Sequence, residues 1–291
     1  MHGQATASEE GPVSSFTHED KDNTFDDQPP MDLLYELSAD WDELAHIDPL
    51  WAILSRADKK HMAWEINEFF STGTIEADKV VEEAGTLGRP KLFQTALDFG
   101  CGVGRVARGL AHHFDQVVGV DVSPEMIRMA QEMNIDIKNL SFTVNLKKDL
   151  SVFPNETFDL VYSSRVLQHL PSSDLAKSYI SELLRVVKDS GIVCFQLPAR
   201  IGWFRRHFSK RQLYKSLRRM GFTGLALYKI GGLHPMELIT VPEDEVVLTI
   251  NLAGGNIVKI IPDEREIYFY KEGYIYYAVK SPCDSSTSRV D

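Results

Sequence analysis

Cysteine is scarce in this chain. Cys101, Cys194 and Cys283 are the three in 291 residues, an odd number without metal-ligand or redox spacing, which excludes a disulfide framework and a zinc site as organising features. Long apolar runs are missing too. No stretch approaches the roughly 18 to 20 continuous apolar residues of a membrane-spanning helix, and the N-terminus lacks the charged, apolar and small-residue succession of a signal peptide. A cytoplasmic location is therefore expected. Positive charge is in deficit, with 31 Lys and Arg against 42 Asp and Glu and a net charge of −11. That balance works against nucleic acid as a partner. No internal repeat is present, so the fold is not an array of small units.

What is present divides into tails, a helical leader and an alternating body. Residues 1–30 mix Gly, Ser, Thr and Pro with many acids, and residues 281–291 read "SPCDSSTSRVD". Both have too little apolar surface to offset the entropy of ordering and are expected to be disordered. Residues 31–88 carry helical spacing in "DWDELAHIDPLWAIL" and "KKHMAWEINEFFSTG". Trp41, Trp51, Trp64, Phe69 and Phe70 need a surface to pack on, which predicts a helical cap. About 60 residues alone would make a marginal core.

From residue 93 strands and helices alternate. "FQTALDF" predicts a buried strand, and Val103, Val106, Ala107, Leu110, Ala111 and Phe114 recur at helical spacing after it. "QVVGVD" is the next strand, and Ser123 with Pro124 suits the start of a helix running to Met133. "LSFTV" and "FDLVYSS" follow, then an amphipathic helix over Leu175 to Val187 and, after Gly191, the strand "IVCFQL". "PEDEVVLTINLAGG" reads as a helix, and "NIVKII" and "YIYYAVK" as closing strands. The alternation predicts an α/β, doubly wound, mostly parallel sheet spanning residues 89–280, with a basic insert at about 200–235. Ligands in such sheets lie beyond the carboxyl ends of the strands.

The turn "DFGCGVGR" stands at that end of the first strand. Gly100, Gly102 and Gly104 are spaced Gly-x-Gly-x-Gly, so the third glycine comes one residue too early for the dinucleotide fingerprint. Asp98 precedes them, and its negative charge suits a cationic ligand better than a pyrophosphate. Asp121, 21 residues beyond Gly100, is placed to accept hydrogen bonds from ribose hydroxyls. The ligand so described has a ribose and a cationic end.

"ALDFGCGVGRVARGLA", "VVGVDVSPEMIRMA", "ETFDLVYSSRVLQHLP" and "GIVCFQLP" together resemble the class I S-adenosylmethionine-dependent methyltransferases over roughly residues 90–200. The resemblance implies a seven-stranded sheet in the order 3-2-1-4-5-7-6 with the last strand antiparallel, and S-adenosylmethionine as cofactor. It implies that Gly100 and Gly102 let the backbone approach the methionine part, with Phe99, Gly104 and Arg105 also among the cofactor-binding residues, and that Asp98 orients the ammonium. Asp121 would hold the ribose, with Val122 and Met126 beside the adenine and Ser164 and Arg165 under the sulfonium. Where many relatives carry an acid after the third strand to read the adenine amino group, this chain has "VNLKKDL", leaving Asn145, Leu146 or Asp149.

Displacement at a sulfonium-activated carbon needs alignment and dryness before it needs a base. His169 in "VLQHLP" is the nearest candidate base, with Glu237 and His234 in "GLHPMELI" as alternatives. The loop "SSRV" lacks the Asn/Asp-Pro-Pro-aromatic tetrapeptide of amino-methylating nucleic-acid enzymes, and Asp159 reads as a strand-start residue rather than part of a metal site. The expected acceptor is a small molecule methylated on oxygen, on a sugar or a lipid-linked metabolite. An inactive cofactor-binding protein and a nicotinamide-dependent oxidoreductase are the rival readings.

Residues 200–219 hold Arg200, Arg205, Arg206, Lys210, Arg211, Lys215, Arg218 and Arg219 without an acid. Three explanations compete: a lid over an anionic substrate, peripheral contact with an anionic membrane, and a solvated face offset by the acidic body.

Overall fold

The computed structural model describes residues 33–201, 210–264 and 270–281. The expectations for the two tails fall outside these residues, except at Ser281, as does the stretch 202–209 of the basic insert. Seven strands form one sheet: β1 (Thr95–Phe99), β2 (Gln116–Asp121), β3 (Leu140–Val144), β4 (Phe158–Ser163), β5 (Val187–Arg200), β6 (Gly255–Pro262) and β7 (Glu272–Lys280). Their order is β3-β2-β1-β4-β5-β7-β6. β1 to β5 run parallel, and β7 is antiparallel to both β5 and β6. Fold class and strand order are as the sequence led us to expect.

Among the strand limits that differ from the reading, two have a visible cause. β1 starts at Thr95, not Phe93, because the N–H groups of Gln94 and Thr95 donate to the fully buried carboxylate of Asp159 (3.2 and 2.9 Å). Lys188 also pairs with that carboxylate at 3.0 Å, so Asp159 ties three strands at their start. β5 starts at Val187, before Gly191: Val187 pairs with Phe158, and an irregularity absorbs the intervening residues before Ile192 pairs with Leu160.

Each face of the sheet is covered by helices whose apolar stripes the sequence announces. On one face α6 (Ser173–Val186) and α9 (Glu243–Leu252) pack Ile180, Leu183, Val246 and Ile250 over Val161, Val193 and Tyr276. On the other, α3 (Ile66–Thr86) and α4 (Arg105–Leu110) bring Ala77, Val80, Ala84 and Leu110 onto Ala96, Leu160 and Tyr277. α3 and α4 approach through a glycine: a Cβ on Gly73 would lie 1.9 Å from the carbonyl oxygen of Arg105.

The leader thus divides. The later turns of α3 are a layer of the sandwich, while α1 (Leu33–Ile47), α2 (Pro49–Ile53), Trp64 and the first turn of α3 form a separate aromatic cluster in which Trp51, Trp64, Phe69 and Phe70 pack with Val103 and Met126. α5 (Pro124–Met133) is capped by Ser123 as predicted, its Oγ accepting from Met126 N at 3.0 Å. The leader reinforces that cap. Ser123 Oγ donates to Asp42 Oδ1 (2.5 Å), and Glu125 N donates to the same oxygen (3.0 Å).

The described part of the basic insert forms α7 (Lys210–Arg219), followed by α8 (Gly224–Gly231). Arg211, Lys215 and Arg218 lie on one stripe of α7 and meet Asp40, Glu36 and Glu43 of α1 at 2.8, 2.7 and 3.0 Å. Both rows have i, i+4, i+7 spacing, so a basic stripe of α7 meets an acidic stripe of α1. The Lys215 ammonium holds Glu36 below the usual carboxylate range, whereas burial pushes Asp40 above it despite Arg211. Three of the insert's cations are therefore matched inside the chain. Among the described residues no helix is long and apolar enough to cross a membrane.

Candidate active site

The site begins where β1 ends. Gly100 and Gly102 have φ of +77° and +53°, the left-handed region that glycine enters without steric cost. Their hydrogens face side chains at close range: a Cβ would lie 2.2 Å from Val166 at Gly100 and 2.6 Å from Ile53 at Gly102. The turn is tied to β2 by the N–H groups of Gly100 and Cys101, which donate to Val120 O at 2.7 and 3.0 Å. One residue further, Asp121 accepts from Gly102 N through Oδ2 (2.8 Å) and from Ser123 N through Oδ1 (2.9 Å). Its carboxylate is thereby fixed at the carboxyl end of β2.

Asp98 is buried, and its Oδ2 accepts from Ala107 N in the first turn of α4 (2.9 Å). Burial pushes its carboxyl up to about 7, with the Arg105 guanidinium opposing the rise. Glu76 of α3 organises the floor beside it. Arg105 and Arg165 pair with Glu76 at 2.7 and 3.3 Å, and Tyr162 donates to it at 2.6 Å. Arg165 has φ +61°, an unusual conformation for a side-chain-bearing residue and held here by Arg165 N donating to Gln196 Oε1 at 3.1 Å. Beside it Ser164 Oγ is buried without a hydrogen-bond partner among the described residues.

These groups surround a cavity of about 400 Å³, within the usual range for a small-molecule site. Of the residues predicted for the cofactor, Asp98, Phe99, Gly100, Gly102, Arg105, Asp121, Val122, Asn145, Ser164 and Arg165 line it. Gly104, Met126 and Leu146 do not. Gly104 is the N-cap of α4 with φ +84°, packed against Phe142 and Asn134. Met126 is buried in the leader's aromatic cluster, because Asp42 and Ser123 dock the first turn of α5 there. Asn145 uses its amide within its own turn, donating to Asp149 O at 2.8 Å and accepting from Lys147 N at 3.3 Å. Asp149 is solvent-facing and outside the lining.

The three candidate bases also line the cavity. His169 donates from Nδ1 to Glu237 O (2.6 Å), which leaves Nε2 as the acceptor, 3.2 Å from the Gln168 amide nitrogen. Burial lowers its pKa to about 4, so the ring is neutral at pH 7. The Glu237 carboxylate is paired with Arg211 at 3.3 Å and does not stand as an uncommitted base. His234 packs edge-on against Trp51 with centroids 5.7 Å apart.

Sequence reasoning missed the contribution of the leader. Leu34, Leu37 and Trp41 of α1, and Trp51 and Ile53 of α2, close the cavity opposite the strand ends, and Leu170, Met236 and Leu238 complete an apolar wall. Helical spacing signalled that these aromatics need a surface without saying that they make one. Among the described residues no group of three or more His, Cys, Asp and Glu side chains is arranged to hold a metal ion.

Residues 97–195 match the family described as "Methyltransferase domain". A 2-methyl-6-phytyl-1,4-hydroquinone methyltransferase of Synechocystis is 37% identical over 100 residues, 34% of this chain and 30% of that protein. Phosphoethanolamine N-methyltransferase 3 of Arabidopsis thaliana is 33% identical over 106 residues, 35% of this chain and 21% of that protein. The chain thus spans less than a third of either relative. The fold is that of a magnesium protoporphyrin IX methyltransferase from Synechocystis solved with bound SAM, at TM-score 0.55 and 18% identity over 86% of this chain and 98% of that one. A SAM-dependent methyltransferase from Leishmania major superposes with TM-score 0.58 at 11% identity, over 84% of this chain and 82% of that one.

Proposed function

We propose that this chain, a member of the class I S-adenosylmethionine-dependent methyltransferases through residues 97–195, transfers a methyl group from S-adenosylmethionine to a small molecule held in the 400 Å³ cavity. The observation that carries the reading is the pair of carboxylates at neighbouring strand ends. Asp98 is buried with no cationic partner in direct contact among the described residues, so the cavity calls for a ligand with positive charge. Asp121 is held rigidly where ribose hydroxyls can donate to it.

The donor set fits the cofactor. Asp98 would take the ammonium, Asp121 the ribose, and the turn at Gly100 and Gly102 would lie against the methionine part. Ser164, with its unpartnered hydroxyl, and Arg165 would stand between the cofactor and acceptor halves. Val122 and Asn145 remain as the residues beside the adenine. A pyrophosphate fits poorly, since Asp98 brings negative charge to the end of β1.

S-adenosylmethionine, when bound, supplies a methyl group already activated on a sulfonium. The protein's part is to align the acceptor and exclude water. The apolar wall of Leu34, Leu37, Trp41, Leu170, Met236 and Leu238 favours an acceptor with an apolar body, and so a lipid-linked metabolite over a sugar. We take oxygen as the acceptor atom. His169, neutral and with Nδ1–H committed to Glu237 O, would accept the hydrogen bond of the acceptor hydroxyl at Nε2 in place of the Gln168 amide and orient it. As the C–O bond forms and the methyl–sulfur bond breaks, the hydroxyl proton would pass through Nε2 to solvent. With an acceptor in hand, His169→Ala is expected to lower kcat by about 10²-fold while leaving the cofactor-induced stabilisation unchanged.

Thermal unfolding with S-adenosylmethionine, S-adenosylhomocysteine and NADH tests the reading before any acceptor is known. At about 100 times its dissociation constant a ligand stabilises the fold by roughly 2.7 kcal/mol, a visible shift. Shifts with the two sulfur compounds alone are expected. A shift with NADH alone would overturn the assignment.

A further inference from the structure

From Arg200 to Met236 the chain carries nine Lys and Arg residues and not one Asp or Glu, within a protein of net charge −11. The structure sorts the described part of this charge. Arg211, Lys215 and Arg218 face α1 and are matched there. The opposite face of α7 is apolar: Leu213, Leu217 and Met220 lie on one stripe by helical spacing, with Leu213 52% and Met220 73% exposed. The turn and α8 extend this character. Phe222 and Leu225 are exposed, and Ile230 is 90% exposed, while Gly224, Leu227 and Tyr228 face inward. Arg219 and Lys229 are exposed among these side chains and form no ion pair among the described residues.

We propose that residues 210–230 are a docking face for a lipid surface bearing anionic headgroups. Five exposed large apolar side chains within 18 residues, Leu213, Met220, Phe222, Leu225 and Ile230, exceed what single scattered surface residues require. Cations at their flanks place charge at the headgroup level while the apolar tips enter the boundary beneath it. Charge complementarity sets the occupant, since Arg219 and Lys229, exposed beside the apolar tips, meet an anionic surface. The apolar tips favour lipid over nucleic acid, whose phosphates would engage the cations and leave Ile230 and Met220 in water. Lys210 of α7, together with His234 and Met236 shortly beyond this face, lines the cavity, so an amphiphilic acceptor would meet the site at the surface that holds it. The docking face does not depend on the reaction assigned to the cavity.

Co-sedimentation of the full chain with vesicles tests this directly. Binding is expected to vesicles of phosphatidylcholine with phosphatidylglycerol, to be weak with phosphatidylcholine alone, and to fall as salt is raised. The triple variant Leu213→Glu, Met220→Glu, Ile230→Glu is expected to bind the anionic vesicles about a hundredfold more weakly, with its melting temperature and its stabilisation by S-adenosylhomocysteine unchanged. No binding by the natural chain, or undiminished binding by a folded triple variant, would overturn the proposal. Equal binding to duplex DNA that the triple variant retains would reassign the segment to polyanions in general. A dimer in sedimentation that the variant abolishes, without vesicle binding, would reassign it to self-association.

Discussion

Asp121→Ala is expected to lose almost all stabilisation by S-adenosylhomocysteine while remaining folded. The carboxylate receives Gly102 N at 2.8 Å and Ser123 N at 2.9 Å, so both oxygens are oriented by the backbone before any ligand arrives. Burial raises the pKa of the group, and these N–H donors oppose the rise. A ribose diol donating to this anion makes charge-assisted hydrogen bonds worth about 1.5–3 kcal/mol each. Losing them weakens binding by about 10²- to 10⁴-fold. At a ligand concentration that gives the natural chain a full shift, the variant then shows little or none. The same change removes two internal acceptors from the glycine turn, so the ligand-free variant melts somewhat earlier. Asp121→Asn separates the two effects, because its amide oxygen keeps one backbone N–H satisfied while the anion is gone. If Asp121→Ala keeps the ligand shift, the ribose does not lie here and the orientation proposed for the cofactor is wrong.

The strands and their helices were legible because each is a short apolar run or a 3.6-residue stripe bounded by Gly, Pro or Ser. Ser123 was even legible as a cap, and its hydroxyl accepts from Met126 N. Strand order was not legible from periodicity and came from the resemblance of the linked motifs. In the site, residues at the carboxyl ends of strands were readable: Asp98 and Asp121 stand there in β1 and β2 and line the cavity. Met126 was misplaced because its position depends on a partner 84 residues earlier in the chain. Asp42 takes Ser123 Oγ and Glu125 N, and α5 turns Met126 to the leader instead of the cavity. The basic insert was visible as charge but not as geometry. The acids that match Arg211, Lys215 and Arg218 are Asp40, Glu36 and Glu43, and only their i, i+4, i+7 spacing, met by the same spacing on α7, would have hinted at the pairing.

Cofactor binding is expected to strengthen with pH from about 4 to about 7 and to release a proton over that interval. Asp98 is the cause. Burial raises its pKa in the ligand-free protein to about 7, so below that pH the carboxyl is mostly protonated and must ionise to hold an ammonium. Each pH unit below 7 therefore weakens binding by up to about tenfold, and calorimetry at pH 6 in buffers of different ionisation enthalpy should detect the released proton. The same shift has the opposite sign for the empty fold. The unfolded chain ionises Asp98 near 3.9 while the folded one retains the proton, so the unfolded state binds fewer protons between about 4 and 7. This group's contribution to stability is thus highest at low pH and falls as pH rises through that window. Bound ligand reverses the trend, since it stabilises the ionised form. Asp98→Asn should flatten both dependences and weaken binding at pH 8, where the natural carboxylate is ionised. A pH profile of binding that keeps its slope in Asp98→Asn would assign the proton to another group and remove Asp98 from the ammonium site.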